Sequence, residues 1–331
     1  MDPADGVEPK AEMPSAAPPS MHGIAAELIA VLVAVTSGEP RVLTIQDQRA
    51  LPSGPFELAH RSLQSGLRAW VERQTRLPLG YVEQLYTFAD RDRVGATAQH
   101  VISISYLGLT REQPASGEYK ASWRGWYDYF PWEDYRVGPP PLIEETLRPG
   151  LKAWVSAISD RTAQRGRRQR VAMLFGFESH AWNEELVLQR YELLYETGLI
   201  PEALRGNSSM PASDTAASSA SPGKPMILDH RRILATGIAR LRTKIKYHPV
   251  VFELMPDTFT LLQLQRCVEA LAGKLVHKPN FRRLIEQQEL IEETGETSQD
   301  TGGRPAKLFR FRRTVFAERA IAGTKLPITG A

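Results

Sequence analysis

Side chains with amide or guanidinium groups are concentrated in the segment 278–287. They are Asn280, Arg282, Arg283 and Gln287. Such groups recognise adenine and guanine edges or bind phosphates. At helical spacing, Phe281, Leu284 and Ile285 share one side, and Arg283 and Gln287 face the other. We therefore predict an amphipathic helix that presents polar groups to DNA.

The flanking residues predict the elements that position this helix. Thr260 caps a preceding amphipathic helix that ends at Gly273, and Pro279 suits the first position of the next helix. Alternating apolar and basic residues from 307 to 313 predict a strand, paired across the tip 294–303 with the segment before it. This order is that of a winged helix-turn-helix. In such a module we expect Arg304 to enter a minor groove and Lys278 and Lys307 to contact phosphates.

The charge of the chain is unevenly distributed. The 331 residues carry a net charge of +3, but residues 226–317 hold 16 Lys and Arg against 10 Asp and Glu. A local excess of six positive charges is the footprint expected for phosphate contacts.

Several classes of protein are disfavoured by composition. A single cysteine, Cys267, excludes disulfides within the chain and cysteine-based structural zinc sites, and its position predicts a buried thiol. The apolar run Ile24–Val35 is too short to span a bilayer and contains Glu27. The acidic, Pro- and Ala-rich start lacks the basic residues of a signal peptide. We expect a cytoplasmic protein without a metal or other cofactor.

The N-terminal half alternates strands and helices. Residues 27–46 predict a hairpin that turns at Ser37-Gly38-Glu39-Pro40, and Ser62 begins a helix that ends at Thr75. Further strands are predicted at 80–88 and 100–109, and an aromatic cluster at 127–135 ends another.

Residues 24–137 resemble a Nudix domain. The resemblance rests on Leu51-Pro52-Ser53-Gly54, a helix ending in Thr75-Arg76-Leu77, and Glu83-Gln84-Leu85-Tyr86-Thr87-Phe88. It implies an α/β/α sandwich with a helix whose glutamates hold magnesium. Alignment on Thr75-Arg76-Leu77 puts Trp70, Arg73 and Gln74 at those glutamate positions, and alignment on Gly54 puts Ala69, Glu72 and Arg73 there. In either register at most one carboxylate survives, so we expect no catalytic residue and a domain that only binds.

Residues 139–204 have no counterpart in a minimal Nudix domain. Their patterns predict a helix at 143–163, a basic loop at 165–170, a short strand at 171–175 and a helix at 183–197. The basic loop is interpreted as a solvated connection in preference to a DNA contact. A flexible linker follows, and then a helix from Arg231 to Lys246. Four cations near its C-terminal end compensate the helix dipole or approach phosphate: Arg240, Arg242, Lys244 and Lys246.

The whole chain resembles the Nudix-related transcriptional regulators of NAD metabolism, in the variant that represses de novo NAD synthesis genes. The resemblance is carried by the degenerate Nudix-like half followed by YHPVVFELMPDTFTLLQLQ, KPNFRRLIEQQELIEETGE and GRPAKLFRF. It implies an inactive Nudix-like domain that senses a nucleotide, such as ADP-ribose, NAD or ATP. It also implies a homodimer on a palindromic double-stranded operator. As effector-binding candidates we take charged or aromatic residues near the matched motifs: Arg68, Arg93 and Trp132.

The expected fold class is α+β, with a Nudix-like α/β/α sandwich carrying a helical insertion, followed by a winged helix-turn-helix. The expected boundaries are a disordered tail 1–20, a sensing domain 21–138, its helical extension 139–204, a linker 205–225, a DNA-binding domain 226–318 and a tail 319–331. Two alternatives stay open. One is a nucleotide pyrophosphatase with an atypical metal site built from Glu57, Glu72 and Glu83, and the other is a protein-interaction module that binds no DNA.

Overall fold

The structure is a computed structural model that describes residues 24–80, 82–89, 100–114, 119–205, 222–247, 250–287, 289–298 and 305–312. Its N-terminal half contains a six-stranded sheet of β1 (Ile24–Thr36), β2 (Glu39–Thr44), β3 (Ser53–Pro55), β4 (Val82–Phe88), β5 (His100–Leu109) and β6 (Ser122–Gly125). The strand order is β4-β5-β1-β2-β6, with β3 also paired to β1. The β1–β5 pair is parallel, and the other pairs are antiparallel.

The predicted hairpin is confirmed between β1 and β2. Its two turn residues, Ser37 and Gly38, have φ angles of 53° and 76°, the left-handed conformation that matches the twist of a two-residue hairpin. The central strand β1 is buried on both faces because helices cover both sides of the sheet.

One face of the sheet is covered by α1 (Leu63–Thr75), which begins after the predicted cap Ser62. Leu67 and Val71 of α1 pack with Leu28 and Leu32 of β1. The two sides of β1 thus belong to two separate apolar layers.

The opposite face is covered by α6 (His230–Tyr247), whose Ile233 and Ile238 share a core with Ile29 and Val31. At Gly237 the helix lies so close to β1 that a Cβ would come within 2.9 Å of Val31. The boundary expected at residue 226 gives this helix to the DNA-binding domain, whereas its packing joins it to the sheet. We therefore propose that the sandwich includes α6, with α1 and α6 as its outer layers.

Between β6 and α6 the chain forms two 3-10 turns, Trp126–Asp128 and Pro131–Glu133, and then a helical insertion. The insertion contains a π turn (Ile143–Leu147), α2 (Arg148–Ser156), α3 (Arg161–Phe175), α4 (Val187–Glu196) and α5 (Pro201–Arg205).

Three predictions for this insertion are wrong. The expected single helix 143–163 is interrupted, because Asp160 accepts hydrogen bonds from Thr162 N and Ala163 N and so starts a new helix. The expected basic loop 165–170 and strand 171–175 both lie within that helix, α3. A short apolar run such as 171–175 does not distinguish a strand from the buried end of a helix.

The C-terminal half contains a 3-10 turn (Val250–Leu254), α7 (Leu261–Ala272), α8 (Lys278–Gln287), β7 (Ile291–Ser298) and β8 (Ala306–Phe311). Thr260 and Gln263 form a reciprocal capping box at the start of α7, and Gly273 ends it with φ 71°. Two backbone hydrogen bonds between Phe259 and Phe309 join β8 to the residues before α7. The predicted order of helix, helix and two-stranded ribbon is confirmed.

None of the helices described in the structure is long and apolar enough to cross a membrane.

Candidate nucleic-acid interface

Helix α8 presents the polar face that its sequence predicts. Phe281 and Ile285 are 8% and 5% exposed and pack into the core. The predicted DNA-contact residues of this helix are all exposed: Lys278, Asn280, Arg282, Arg283 and Gln287. Among the residues that the structure describes, Arg282 and Arg283 make no ion pair, so both guanidinium groups are free to bind an anion.

Two details of the α8 prediction are wrong. Leu284, expected on the buried side, is 47% exposed because it lies at the edge of the narrow apolar stripe. The helix begins at Lys278, one residue before the proline expected to open it. The exposed Leu284 therefore adds an apolar contact point beside Arg283.

The ribbon after α8 supplies a second cationic surface. Lys307 on β8 donates to both carboxylate oxygens of Glu293 on β7, at 2.8 and 3.0 Å. Both side chains are more than half exposed, so this ion pair contributes little and a DNA phosphate could replace Glu293. Arg304, predicted to enter the minor groove, lies outside the described residues.

The last turn of α7 is bound to the sandwich by the buried side chain of Arg242. Arg242 of α6 donates from Nε to the carbonyl oxygen of Leu271 in the last turn of α7, at 2.9 Å. Its Nη1 donates to Glu133, which also accepts from Arg190 of α4, at 2.7 and 2.6 Å. All three charged side chains are about 0–1% exposed.

This network of Glu133, Arg190 and Arg242 was not foreseen from sequence. Of the predicted phosphate-approaching cations of α6, Arg242 is buried, and Arg240 and Lys244 both pair with Glu83. A second anchor beside the network is the Tyr127 hydroxyl, which donates to Ala270 O at 2.7 Å. Burial raises the pKa of this phenol, so it stays a donor at neutral pH.

The backbone at the end of α1 bears on the two registers of the Nudix resemblance. Arg76 ends the helix in the left-handed conformation, with φ 59°, and Val71 and Leu77 on either side of it are buried. This geometry suits the glycine of a Thr-Gly-Leu helix end. It favours the Thr75-Arg76-Leu77 alignment, in which the positions expected to carry metal-binding glutamates are Trp70, Arg73 and Gln74.

Those three residues do not fit a magnesium ion. Gln74 is 4% exposed, and its amide makes two hydrogen bonds with the backbone of Ser53, at 2.7 and 3.1 Å. The Trp70 indole donates to Pro55 O at 2.8 Å, and the Arg73 guanidinium lies 4.6 Å from the Trp70 ring. On this face of α1, Gln74 and Trp70 are hydrogen-bonded to β3. The third residue, Arg73, is itself a cation.

The alternative carboxylates do not assemble a metal site either. Glu83 pairs with Arg240 and Lys244, whereas Glu57 and Glu72 are exposed on other elements. No group of three His, Cys, Asp or Glu residues able to hold a metal occurs in the described part of the chain.

The effector-binding candidates are not brought together. Arg68 on α1 donates to the carbonyl oxygen of Leu79, and Trp132 is fully buried in the core on the other face of the sheet. Arg93 lies outside the described residues. Neither Arg68 nor Trp132 lines the cleft of about 660 Å³ that opens between Arg111 and Arg310. Their assignment to an effector site stays a prediction.

Comparison with known proteins supports both halves of this architecture. Residues 251–311 match the family model of the NrtR DNA-binding winged helix domain. A relative in Acinetobacter baylyi, the ADPR responsive transcriptional repressor NtrR, is 38% identical over 86 residues, which are 26% of this chain and 34% of that protein. The chain thus spans about a third of the length of the curated relative that it matches.

Two solved structures share the fold across most of the chain. Shewanella oneidensis NrtR complexed with a 27mer DNA aligns with a TM-score of 0.52 and 18% identity, covering 88% of this chain and 95% of NrtR. A MutT/nudix family protein from Enterococcus faecalis aligns with a TM-score of 0.50 and 16% identity, covering 91% and 90% of the two chains. The chain thus carries a winged helix domain that matches the NrtR family model, and it shares the fold of these two structures across most of its length.

Proposed function

We propose that the protein is a DNA-binding transcriptional repressor of NAD biosynthesis genes, whose Nudix-like domain senses a nucleotide effector and catalyses no reaction. The observation that carries the proposal is the face of α8, where Arg282 and Arg283 are exposed beside Asn280 and Gln287 and have no ion pair among the described residues. A helix held by Phe281 and Ile285 turns these groups outward as a set.

Helix α8 enters the major groove in this proposal. Asn280 is suited to adenine and the two arginines to guanine or phosphate, because bidentate groups match these edges. Lys278 and Lys307 contact phosphates, and Arg304 at the tip of the ribbon enters the neighbouring minor groove.

The operator is palindromic and the protein binds it as a homodimer. A twofold dimer places its two recognition helices one duplex turn, about 34–36 Å, or a multiple of that apart. Sedimentation of the protein on operator DNA measures the number of protomers per operator. A single protomer per operator would contradict the homodimer.

The effector is a nucleotide of the ADP-ribose, NAD or ATP type. The name of the Acinetobacter relative describes that protein as ADPR responsive, and the sandwich of this chain keeps a Nudix-like architecture without the residues that hold a metal. An effector releases DNA only if it binds the DNA-free state more tightly. Arg68, Arg93 and Trp132 are the residues first to be substituted in a search for its site.

Selection from random double-stranded DNA tests the proposal. Bound fragments are recovered with and without ADP-ribose, NAD or ATP and then assayed by gel shift. We expect a palindromic consensus sequence. Its recovery should change when one of the three effectors, ADP-ribose, NAD or ATP, is added. Failure to retard any selected fragment, or magnesium-dependent release of AMP from ADP-ribose, would contradict the proposal.

A further inference from the structure

Helix α3 carries a cluster of positive charge that the proposed function has not used. Its first ten residues include five arginines: Arg161, Arg165, Arg167, Arg168 and Arg170. Two of them are engaged, since Arg167 donates to Trp154 O at 2.9 Å and stacks on that ring, and Arg170 pairs with Glu196. The other three are exposed and have no ion pair or hydrogen bond among the described residues.

Arg161, Arg165 and Arg168 lie on one face of α3. Their spacing of four and three residues stacks them one above the other on successive helical turns. They span roughly 10 Å along the helix axis at 1.5 Å per residue. Over that length one DNA strand carries about three phosphates.

This arrangement opposes helix stability. Like charges at these spacings repel each other, and cations near a helix N-terminus oppose the helix dipole. The first turn of α3 has no acidic residue, and the Asp160 cap lies outside it. Folding of the helix therefore does not explain why three unpaired guanidinium groups are placed there.

The position of α3 is fixed relative to the helix-turn-helix. Arg190 donates to Leu174 O in the last turn of α3 at 2.9 Å and also to Glu133. Through Glu133 this bond joins Arg242, which holds Leu271 O of α7. Along α3, the three arginines lie roughly 9 to 20 Å from Leu174.

We propose that Arg161, Arg165 and Arg168 bind the phosphate backbone of double-stranded DNA beside the half-site read by α8. The inference rests on the proposed function, because it requires operator binding. Guanidinium forks match phosphate oxygens better than lysine ammonium groups do. The helical insertion thus extends the DNA surface of the winged helix to flanking, sequence-independent contacts.

The test compares four proteins on the selected operator with long flanks and on the operator trimmed to its half-sites, at about 50 to 200 mM salt. The first is the unaltered protein, and the second is the triple variant R161A/R165A/R168A. The third, K120A/K152A/K224A, removes the same charge from exposed lysines elsewhere. A fourth protein, R161K/R165K/R168K, keeps the charge on α3.

On the long fragment, the slope of log K against log salt is negative. We expect the alanine triple to make it less steep by about two to three, which is about 0.9 per lost phosphate contact. Its affinity should fall at least about tenfold at low salt, while the trimmed operator is bound with nearly unchanged affinity. The α3 lysine triple should keep most of the slope, and the control triple all of it. Alanine favours helix, and circular dichroism confirms that the alanine triple is folded.

Equal losses in the alanine triple and the control triple would overturn the inference, as would an unchanged slope in the alanine triple. If the unaltered protein retards no DNA, the proposed function fails and the inference fails with it. The two failures are therefore distinguished by the unaltered protein alone.

Discussion

The Arg242 guanidinium lies on the last turn of α7, with its Nε 2.9 Å from the carbonyl oxygen of Leu271. This bond joins a helix of the sandwich to the first helix of the helix-turn-helix, directly before the turn that leads to α8. The same guanidinium neutralises the buried carboxylate of Glu133. A single buried side chain therefore links the end of α7 to the sandwich.

Replacing Arg242 with alanine should lower the free energy of unfolding by about 3–5 kcal/mol, because it breaks a buried ion pair and leaves the Leu271 carbonyl without this donor. Urea unfolding followed by tryptophan fluorescence measures the loss. Arg240→Ala is the matched control two residues away, since that side chain is 55% exposed and pairs with Glu83 at the surface. The control should lose about 0–1 kcal/mol. Equal losses in the two variants would contradict the role given to Arg242.

Arg283→Ala should weaken operator binding without unfolding the protein. A lost base contact costs about 1–3 kcal/mol and relaxes sequence preference, whereas a lost phosphate contact weakens binding to all sequences alike and reduces the salt slope by about one. Gel shifts at two salt concentrations, on operator and on unrelated DNA, separate the two cases. Lys152→Ala, an exposed lysine on α2, is the control. Unchanged affinity of Arg283→Ala would remove α8 from the interface.

The local parts of this fold could be predicted from sequence because caps and periodicity are local signals. The caps Ser62 and Thr260 and the end of α7 at Gly273 all lie where their residue types favour them. Helix α3 was missed because arginine-rich sequence is typical of both loops and solvated helices, and only the Asp160 cap distinguishes them.

The long-range parts could not be predicted. Glu133 meets Arg190 and Arg242 across 57 and 109 residues of chain, and no local pattern marks such partners. The amphipathic stripe of α6 shows that it packs on something, but not that its partner is a sheet more than a hundred residues earlier. Both of these long-range misses concern which surfaces meet, and tertiary packing decides that.

The thiol of Cys267 should stay unreactive until the protein unfolds. It is 3% exposed, and burial raises its pKa to about 12. Since the folded value lies above the unfolded value of about 8.5, the stabilising contribution is complete below pH 8.5 and is lost as the pH rises toward 12. Titration with a thiol reagent at pH 8 should give no reaction in buffer and one thiol in urea. Fast labelling of the folded protein would show that α7 opens readily.

Gln74→Glu should loosen the clamp on β3. Glutamate still accepts from Ser53 N, but it cannot donate to Ser53 O when ionised, so the variant should lose about 1–3 kcal/mol at neutral pH. Part of the loss should be recovered below about pH 4, where the carboxyl group regains a proton. Thermal unfolding at both pH values measures this, with exposed Gln64→Glu on the same helix as the control.

Magnesium should leave the melting temperature of the unaltered protein unchanged, and a magnesium-induced rise would indicate a metal site.

Two helix ends make a matched pair of opposite predictions. Arg76 ends α1 and Gly273 ends α7, both left-handed, with φ of 59° and 71°. Arg76→Gly should raise the free energy of unfolding by about 0.5–1 kcal/mol. The left-handed conformation costs a residue with a Cβ about 1–2 kcal/mol, and glycine avoids this cost. Part of the gain is offset because glycine also increases the conformational entropy of the unfolded chain. Gly273→Ala should lower it by about 2–4 kcal/mol, since the new Cβ meets both strain and overpacking. That Cβ would lie 2.4 Å from Glu133 O and 2.5 Å from Arg242 Nη2, so the variant should also weaken DNA binding. Chemical unfolding of both variants measures the signs, and a stabilised Gly273→Ala would mean that the helix-turn-helix does not depend on this junction with the sandwich.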